Sequence, residues 1–325
     1  MNIEKCISCG TCKENCEFLK KHDIDLFELQ EKKPDLCYEC LLCGECSSKC
    51  PVGIDGRELV IGIREKMHCE GKLEKKLYRS VLLEKENYIF KNYCGGRGDT
   101  VLFPGCNFPS FFPNTTVKLI ELLKDKIDAG VVFDCCGKPI SELGMKKEEE
   151  RIVGGINKRL TAMGAKQLVT VCPNCYYFLK GKLDFEVVDI YSKLNELGIK
   201  NNAINGCYNV FIPCPDRKDM KMLNNISKLI GVDTKLNLIQ DIQCCGLGGL
   251  TASRDRTMSQ KLMEKLKGKN LDSIHTYCST CYGNFCRSGI KEPRHFLPDI
   301  LNCTEAFPKG INSVLNRARF KFKRF

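Results

Sequence analysis

Residues 130–137, GVVFDCCG, and residues 236–246, LNLIQDIQCCG, each end a short apolar run on two adjacent cysteines and a glycine. Adjacent cysteines are poor disulfide partners and an odd pair of ligands for a lone zinc ion. Each copy sits in the middle of a longer order. The first begins with TVLFPGC (100–106), passes a helical pattern VKLIELLKDKI (117–127), and reaches GVVFDCCG. A second helical pattern (147–164) then leads to QLVTVCPNC (167–175) and FEVVDIYSKL (185–194). The second copy retraces these steps through YNVFIPC (208–214), a helical pattern (219–231), LNLIQDIQCCG, a helical pattern (257–268), IHTYCSTC (274–281) and HFLPDIL (295–301). Cys106 to Cys135, Cys136 to Cys172 and Cys172 to Cys175 are steps of 29, 36 and 3 residues; Cys214 to Cys244, Cys245 to Cys278 and Cys278 to Cys281 are steps of 30, 33 and 3. The alternation predicts two repeated small α/β units, each with a largely parallel sheet. The cysteines then fall just past the C-terminal ends of strands, where open α/β sheets place their ligand sites.

The chain has 325 residues with 24 Cys, 4 His and no Trp, enough length for two or three domains. So many thiols suit either a secreted disulfide scaffold or metal-holding thiolates in a reducing compartment, and the spacings favour metal. The start, MNIEKCISCG, lacks a basic segment followed by an apolar run, and the longest apolar stretches are too short to span a bilayer. The expected location is cytoplasmic, with membrane association through a partner as an option. A formal charge of +11 invites a nucleic-acid reading. That count treats every Cys as neutral, however. A cubane 4Fe–4S cluster held by four thiolates carries about −2, so such clusters would offset much of the excess, and no nucleic-acid partner is expected.

Residues 1–56 contain CISCGTCKENC and CLLCGECSSKCP, each a Cys-x2-Cys-x2-Cys-x3-Cys run. This is similar to the two-cluster bacterial ferredoxin spacing, in which the fourth Cys of each run ligates the other cluster. Cys6, Cys9, Cys12 and Cys50 are thus assigned to one cubane 4Fe–4S cluster, and Cys16, Cys40, Cys43 and Cys46 to a second. Two zinc sites would not require the third Cys at fixed spacing. Glu17 stands where a proline often follows the first run, and Cys37, an extra Cys separated by two residues from Cys40 of the second run, reads as a bystander or as an alternative ligand. The expected domains are a ferredoxin-like α-helical module (1–56), a helical linker (57–95), CCG unit 1 (96–205), CCG unit 2 (206–303) and a basic C-terminal tail (304–325).

Each repeat offers five thiolates: Cys106, Cys135, Cys136, Cys172 and Cys175, then Cys214, Cys244, Cys245, Cys278 and Cys281. Five is one too many for a cubane. Gly137 and Gly246 are expected to let the backbone turn tightly against a bound cofactor. On these motifs the chain resembles the CCG-domain proteins of the heterodisulfide reductase group, over residues 1 to about 300. The resemblance implies that each five-Cys set holds a noncubane 4Fe–4S cluster, fused from a 3Fe–4S and a 2Fe–2S part. It implies a disulfide substrate lying between two such clusters, each accepting one sulfur, with the two cubanes feeding electrons. In methanogens the substrate is the heterodisulfide of two thiol coenzymes. The resemblance extends to iron–sulfur subunits of glycerol-3-phosphate and glycolate dehydrogenases, which gives a second reading: an electron-transfer subunit passing electrons from a flavin dehydrogenase to quinone or ferredoxin. Retention of all ten CCG cysteines tilts the reading toward disulfide chemistry in an anaerobe.

Cys69, Cys94, Cys207, Cys286 and Cys303 fit no ligand pattern and are expected as buried small hydrophobes. His275 is a candidate proton donor to a leaving thiolate, against a simple packing role. Lys138 and Arg254 are candidates for an anionic substrate. The GLGG at 246–249 and the CGGRGD at 94–99 lack the context of a nucleotide loop, so neither flavin nor NAD is expected in this chain. The electron donor is then another protein: a flavoprotein, a ferredoxin or a membrane electron-transfer subunit. The terminal NRARFKFKRF (316–325) reads as a frayed basic tail or as a peripheral membrane contact.

Overall fold

The computed structural model describes residues 3–325. Among the described residues, nine short strands form two sheets. β1 (Asn92–Cys94), β2 (Thr100–Phe103), β3 (Gly130–Phe133), β4 (Gln167–Thr170) and β5 (Glu186–Asp189) make the first, in the order β1-β3-β2-β4-β5. β6 (Cys207–Val210), β7 (Lys235–Leu238), β8 (Ile274–Thr276) and β9 (Pro293–His295) make the second, in the order β7-β6-β8-β9. Without β1 the two orders are the same, second-first-third-fourth, and every pairing is parallel. The duplication read from the cysteine spacing is therefore a duplication of topology.

The first sheet shows why its strands read as plain apolar runs. β2 and β3 are buried along their whole length, as parallel strands covered on both faces must be. Pro113 opens the Pro113–Ile127 helix, where its missing N–H is no loss, and Asp128 ends it in the left-handed conformation. Leu119, Ile120 and Leu123 give that helix its buried face. β1 pairs antiparallel with β3 and covers the edge that β7, the counterpart of β3 in the second sheet, presents as the terminal strand. β1 falls inside residues 57–95, which the sequence reads as a purely helical linker; three residues are too few for periodicity to register.

The chain divides into two compact units, each built from several segments. One contains the chain up to Glu86, Pro139–Glu150 and Gln240–Asn270; the other contains Asn87–Lys138, Arg151–Ile239 and Leu271–Phe325. All nine strands belong to the second unit. The described part of the first unit is helices, turns and loops, the longest helix being Gly56–Cys69, capped by the Asp55 carboxylate on the N–H groups of Arg57 and Glu58.

The centre of the first unit is Arg64, which is fully buried. All five of its N–H donors go to backbone carbonyls: Nε and Nη2 to Cys37, Nη2 to Cys40, and Nη1 to Glu142 and Gly249, at 2.6–3.1 Å. No carboxylate pairs with it among the described residues. Gly249 has φ +62°, and a Cβ there would lie 2.3 Å from the Cys40 carbonyl oxygen. The GLGG segment is thus a loop laid flat on the Cys40–Leu41 backbone.

The C-terminal residues are not frayed. Asn312–Lys321 form a helix within the second unit, and the Asn92 amide donates to the Phe320 and Lys323 carbonyls. Phe320 is buried and stacked on Phe133 at 4.9 Å, while Phe322 is exposed. Among the described residues no helix is long and apolar enough to cross a membrane.

Candidate metal centres

The two N-terminal cysteine runs fold into the same local shape. In the first, Ser8 and Gly10 flank Cys9 at φ +49° and +74°; in the second, Leu42 and Gly44 flank Cys43 at φ +51° and +76°. Each glycine opens a short helix, Thr11–Glu14 or Glu45–Lys49, that carries the third Cys. Positive φ at Ser8 and Leu42 costs energy that an ordinary loop would avoid. It turns successive peptide groups around the middle Cys.

Cys6, Cys9, Cys12 and Cys50 line one pocket, with Leu26, Val52 and Ile54 among its walls. This outer set includes an exposed Cys9. The inner set is Cys16, Cys40, Cys43 and Cys46, of which Cys16, Cys43 and Cys46 are buried. Cys40, Cys43 and Cys16, and after them Cys12, act electrostatically on Cys46, so Cys16, the fourth Cys of the first run, lies near the three of the second. Burial pushes the Cys16 and Cys40 thiols up to about 11, and Cys46 higher still. Metal loading must therefore displace protons from all three. Backbone N–H groups already point at sulfur: Leu42 to Cys40 at 3.4 Å and Ile54 to Cys50 at 3.3 Å. Gly56 leaves the space beside Cys46 open, since a Cβ there would sit 2.4 Å from its sulfur. This donor set fits a cluster of four thiolates with amide support. Cys37 is buried, and its carbonyl is held by Arg64.

In the second unit the CCG cysteines follow strand ends as expected. Cys136 accepts hydrogen bonds from Cys135 and Cys175, which hold it down at about 5. Cys175 also contacts Cys172. Cys172 in turn donates to Cys278, which accepts from Cys281 as well and lies well below the ordinary thiol range. Cys106 is close enough to act on Cys136 electrostatically. Six sulfurs thus form one continuous string that crosses from the first repeat to the second. The Asn174 amide donates to Cys278 Sγ at 3.5 Å, and the Asn107 amide to Thr280 Oγ1 at 2.9 Å, both across the repeats. Tyr88 and Phe90 pack over Cys135 and Cys106, with Ala318 of the C-terminal helix beside them. Cys214 belongs to this unit, whereas Cys244 and Cys245 belong to the first. There the Gly246 N–H donates to Cys244 Sγ at 3.3 Å.

Gly137 and Gly246 have φ +90° and +83°, which is what requires glycine. The space their missing Cβ leaves is taken by a neighbouring helix: Ile152 Cγ2 at 3.0 Å from the first, and the Ser259 backbone at 2.8 Å from the second. The two glycines serve the turn and its packing on a helix, beyond the cofactor contact that the sequence suggested.

Several expectations change. Cys69 and Cys207 are exposed and Cys94, Cys286 and Cys303 only half-buried, so none of the five is a fully buried core cysteine. Arg254 pairs with Glu74 at 2.9 Å, which satisfies the charge expected to bind an anion. His275 lies buried on β8, between Tyr208 and Phe296, with Nε2 3.4 Å from Asp299, in keeping with packing. Arg64, Asn174 and Gln243 escaped the sequence reading. Gln243 is buried immediately before Cys244. Its Oε1 accepts the Glu17 N–H at 2.8 Å and its Nε2 donates to Cys43 Sγ at 3.6 Å.

Two sheets that share one order of four parallel strands, each carrying cysteines past its strand ends, define a duplicated cysteine-rich α/β protein. The model of the CCG cysteine-rich domain family matches residues 100–180 and again 204–286, so the chain belongs to that family. It is similar to an uncharacterized iron–sulfur protein of Methanococcus maripaludis, 24% identical over 277 residues. That match covers 75% of this chain and 56% of the relative, so the chain spans little more than half the relative's length. Its fold resembles the crystal structure of a hypothetical protein from Helicobacter pylori, with a TM-score of 0.58 and 11% identity, covering 91% of this chain and 67% of that one.

Proposed function

We propose that the chain is an iron–sulfur oxidoreductase subunit that reduces a disulfide between its two CCG centres. Two ferredoxin-type 4Fe–4S centres, on the outer and inner cysteine sets, supply the electrons. The observation that carries this reading is the junction of Cys172 with Cys278, where the ligand sets of the two repeats meet sulfur to sulfur. Reduction of a disulfide consumes two electrons and two protons and yields two thiols. A site with thiol-ligated centres on both sides can hold each half as the S–S bond breaks, so that neither half leaves as a radical. When bound, the clusters supply single electrons and iron sites with affinity for sulfur.

The protein's own groups prepare that site. Asn174 donates a hydrogen bond to Cys278 from the first repeat and so fixes the junction. Tyr88 and Phe90 cover Cys106 and Cys135, which keeps water from the first centre. The iron–sulfur relative supports a cluster-binding role, and the exposed Cys9 suits electron entry from a partner protein at the outer set.

The test is iron and acid-labile sulfide on anaerobically purified protein, followed by disulfide turnover with a viologen donor. About sixteen irons per chain with disulfide-dependent viologen oxidation is the expected result. Full iron with no disulfide turnover, but with reduction by a flavoprotein, would instead support the electron-transfer subunit of a flavin dehydrogenase.

A further inference from the structure

The two CCG motifs differ at the residue before the cysteines. Asp134 stays within its own unit, accepting the Cys135 N–H at 2.8 Å and the Tyr93 hydroxyl at 2.7 Å. Gln243 instead reaches the N-terminal cysteines. Its amide orientation is set by the Glu17 N–H on Oε1, which turns Nε2 toward Cys43 and places the side chain within hydrogen-bond reach of Cys16. This accounts for a departure in the first cysteine run. A proline at position 17, as at Pro51, would have no N–H to give. Glu17 is also the first residue of the Glu17–His22 helix, where a proline would otherwise be well accommodated. Its carboxylate is held separately by Lys261 and Lys265.

We infer that Gln243 is a positioning residue for the inner centre, tuning it to a higher reduction potential than its thiolates alone would give, with the Glu17 N–H fixing the amide. The inference rests on the proposed cluster at Cys16, Cys40, Cys43 and Cys46. A donor to a ligand sulfur stabilises the extra negative charge of the reduced state. The same residue is one peptide bond from Cys244, so the chain that tunes the inner centre continues directly into the second CCG pair.

The experiment is an anaerobic redox titration of the holoprotein followed by electron paramagnetic resonance, the inner signal being the one lost in Cys46→Ser. In Gln243→Leu and in Glu17→Pro the reduced-to-oxidised ratio of the inner centre at fixed potential should fall roughly fivefold, the worth of one hydrogen bond. The outer centre should not move. Glu17→Gln keeps the N–H and removes only the carboxylate, so it should leave the ratio unchanged. Full iron with an unmoved inner ratio in Gln243→Leu overturns the inference. If that variant loses iron, Glu17→Pro decides by the same measure, because it retains the Gln243 side chain. A wild-type protein with no iron dependent on Cys46 overturns the cluster assignment itself, a result distinct from either.

Discussion

Arg64→Lys should destabilise the first unit by about 2–3 kcal/mol. The guanidinium makes five hydrogen bonds to the carbonyls of Cys37, Cys40, Glu142 and Gly249. A lysine keeps the positive charge but has three donors on one nitrogen, and these cannot reproduce a planar fork. At least two buried bonds are lost, at about 1 kcal/mol each, with a further cost for a carbonyl left unsatisfied. The first unit contains about 130 residues, for which 1 kcal/mol corresponds to about 4 °C in melting temperature, so its transition should fall by roughly 10 °C. Anaerobic thermal melts of the holoprotein, followed by cluster absorbance and far-ultraviolet circular dichroism, would measure it. A fall spread over all 325 residues as one transition would be smaller, roughly 4 °C. A shift below about 2 °C would refute the reasoning, because it would mean that the carbonyl bonds contribute little beyond the charge.

Other outcomes follow from the same contacts. Cys136→Ser should lower iron content and remove the signal of the first CCG centre while sparing the ferredoxin-type centres; normal iron would sink the assignment of that cysteine. Gly246→Ala meets both a left-handed backbone at φ +83° and the Ser259 backbone at 2.8 Å, so it should cost about 2–3 kcal/mol in thermal melts. Phe320→Ala should cost about 3–4 kcal/mol, because its ring is buried on Phe133, whereas Phe322→Ala should stay within about 0.5 kcal/mol.

The repeat was legible because each of its strands is a short apolar run stopped by a cysteine, and because spacing survives duplication. The order of the strands within each sheet comes from the structure, because the apolar runs mark strands without saying which neighbour each one pairs with. What the sequence concealed depends on partners distant along the chain. Arg64 sits in RELVIGIREKMHC, where charges on an amphipathic helix normally face water; the carbonyls of Cys37, Cys40, Glu142 and Gly249 explain its burial, and none of them lies on its own helix. Gln243 looked like an ordinary polar residue before CCG, and Glu17 like a deviation from the usual proline. Each becomes informative only when the other is seen hydrogen-bonded to it. The assignment of residues 139–150 and 240–270 to the first compact unit is likewise a tertiary fact, with no boundary signal in composition. The C-terminal helix was obscured by its many basic residues, whose charges hid the stacking of Phe320 on Phe133 that seats it.

The interleaving of segments also sets an order for biosynthesis. Arg64 and its acceptor Gly249 are 185 residues apart in the chain. At ordinary elongation rates the ribosome needs roughly 10–40 s to bridge that interval. During that time the N-terminal cysteines have left the exit tunnel, but the guanidinium that anchors their loops still lacks one acceptor, and Gln243 has not been made. A cell that charges these cysteines with iron must either shield them through that interval or wait until the last segment of the unit is synthesised.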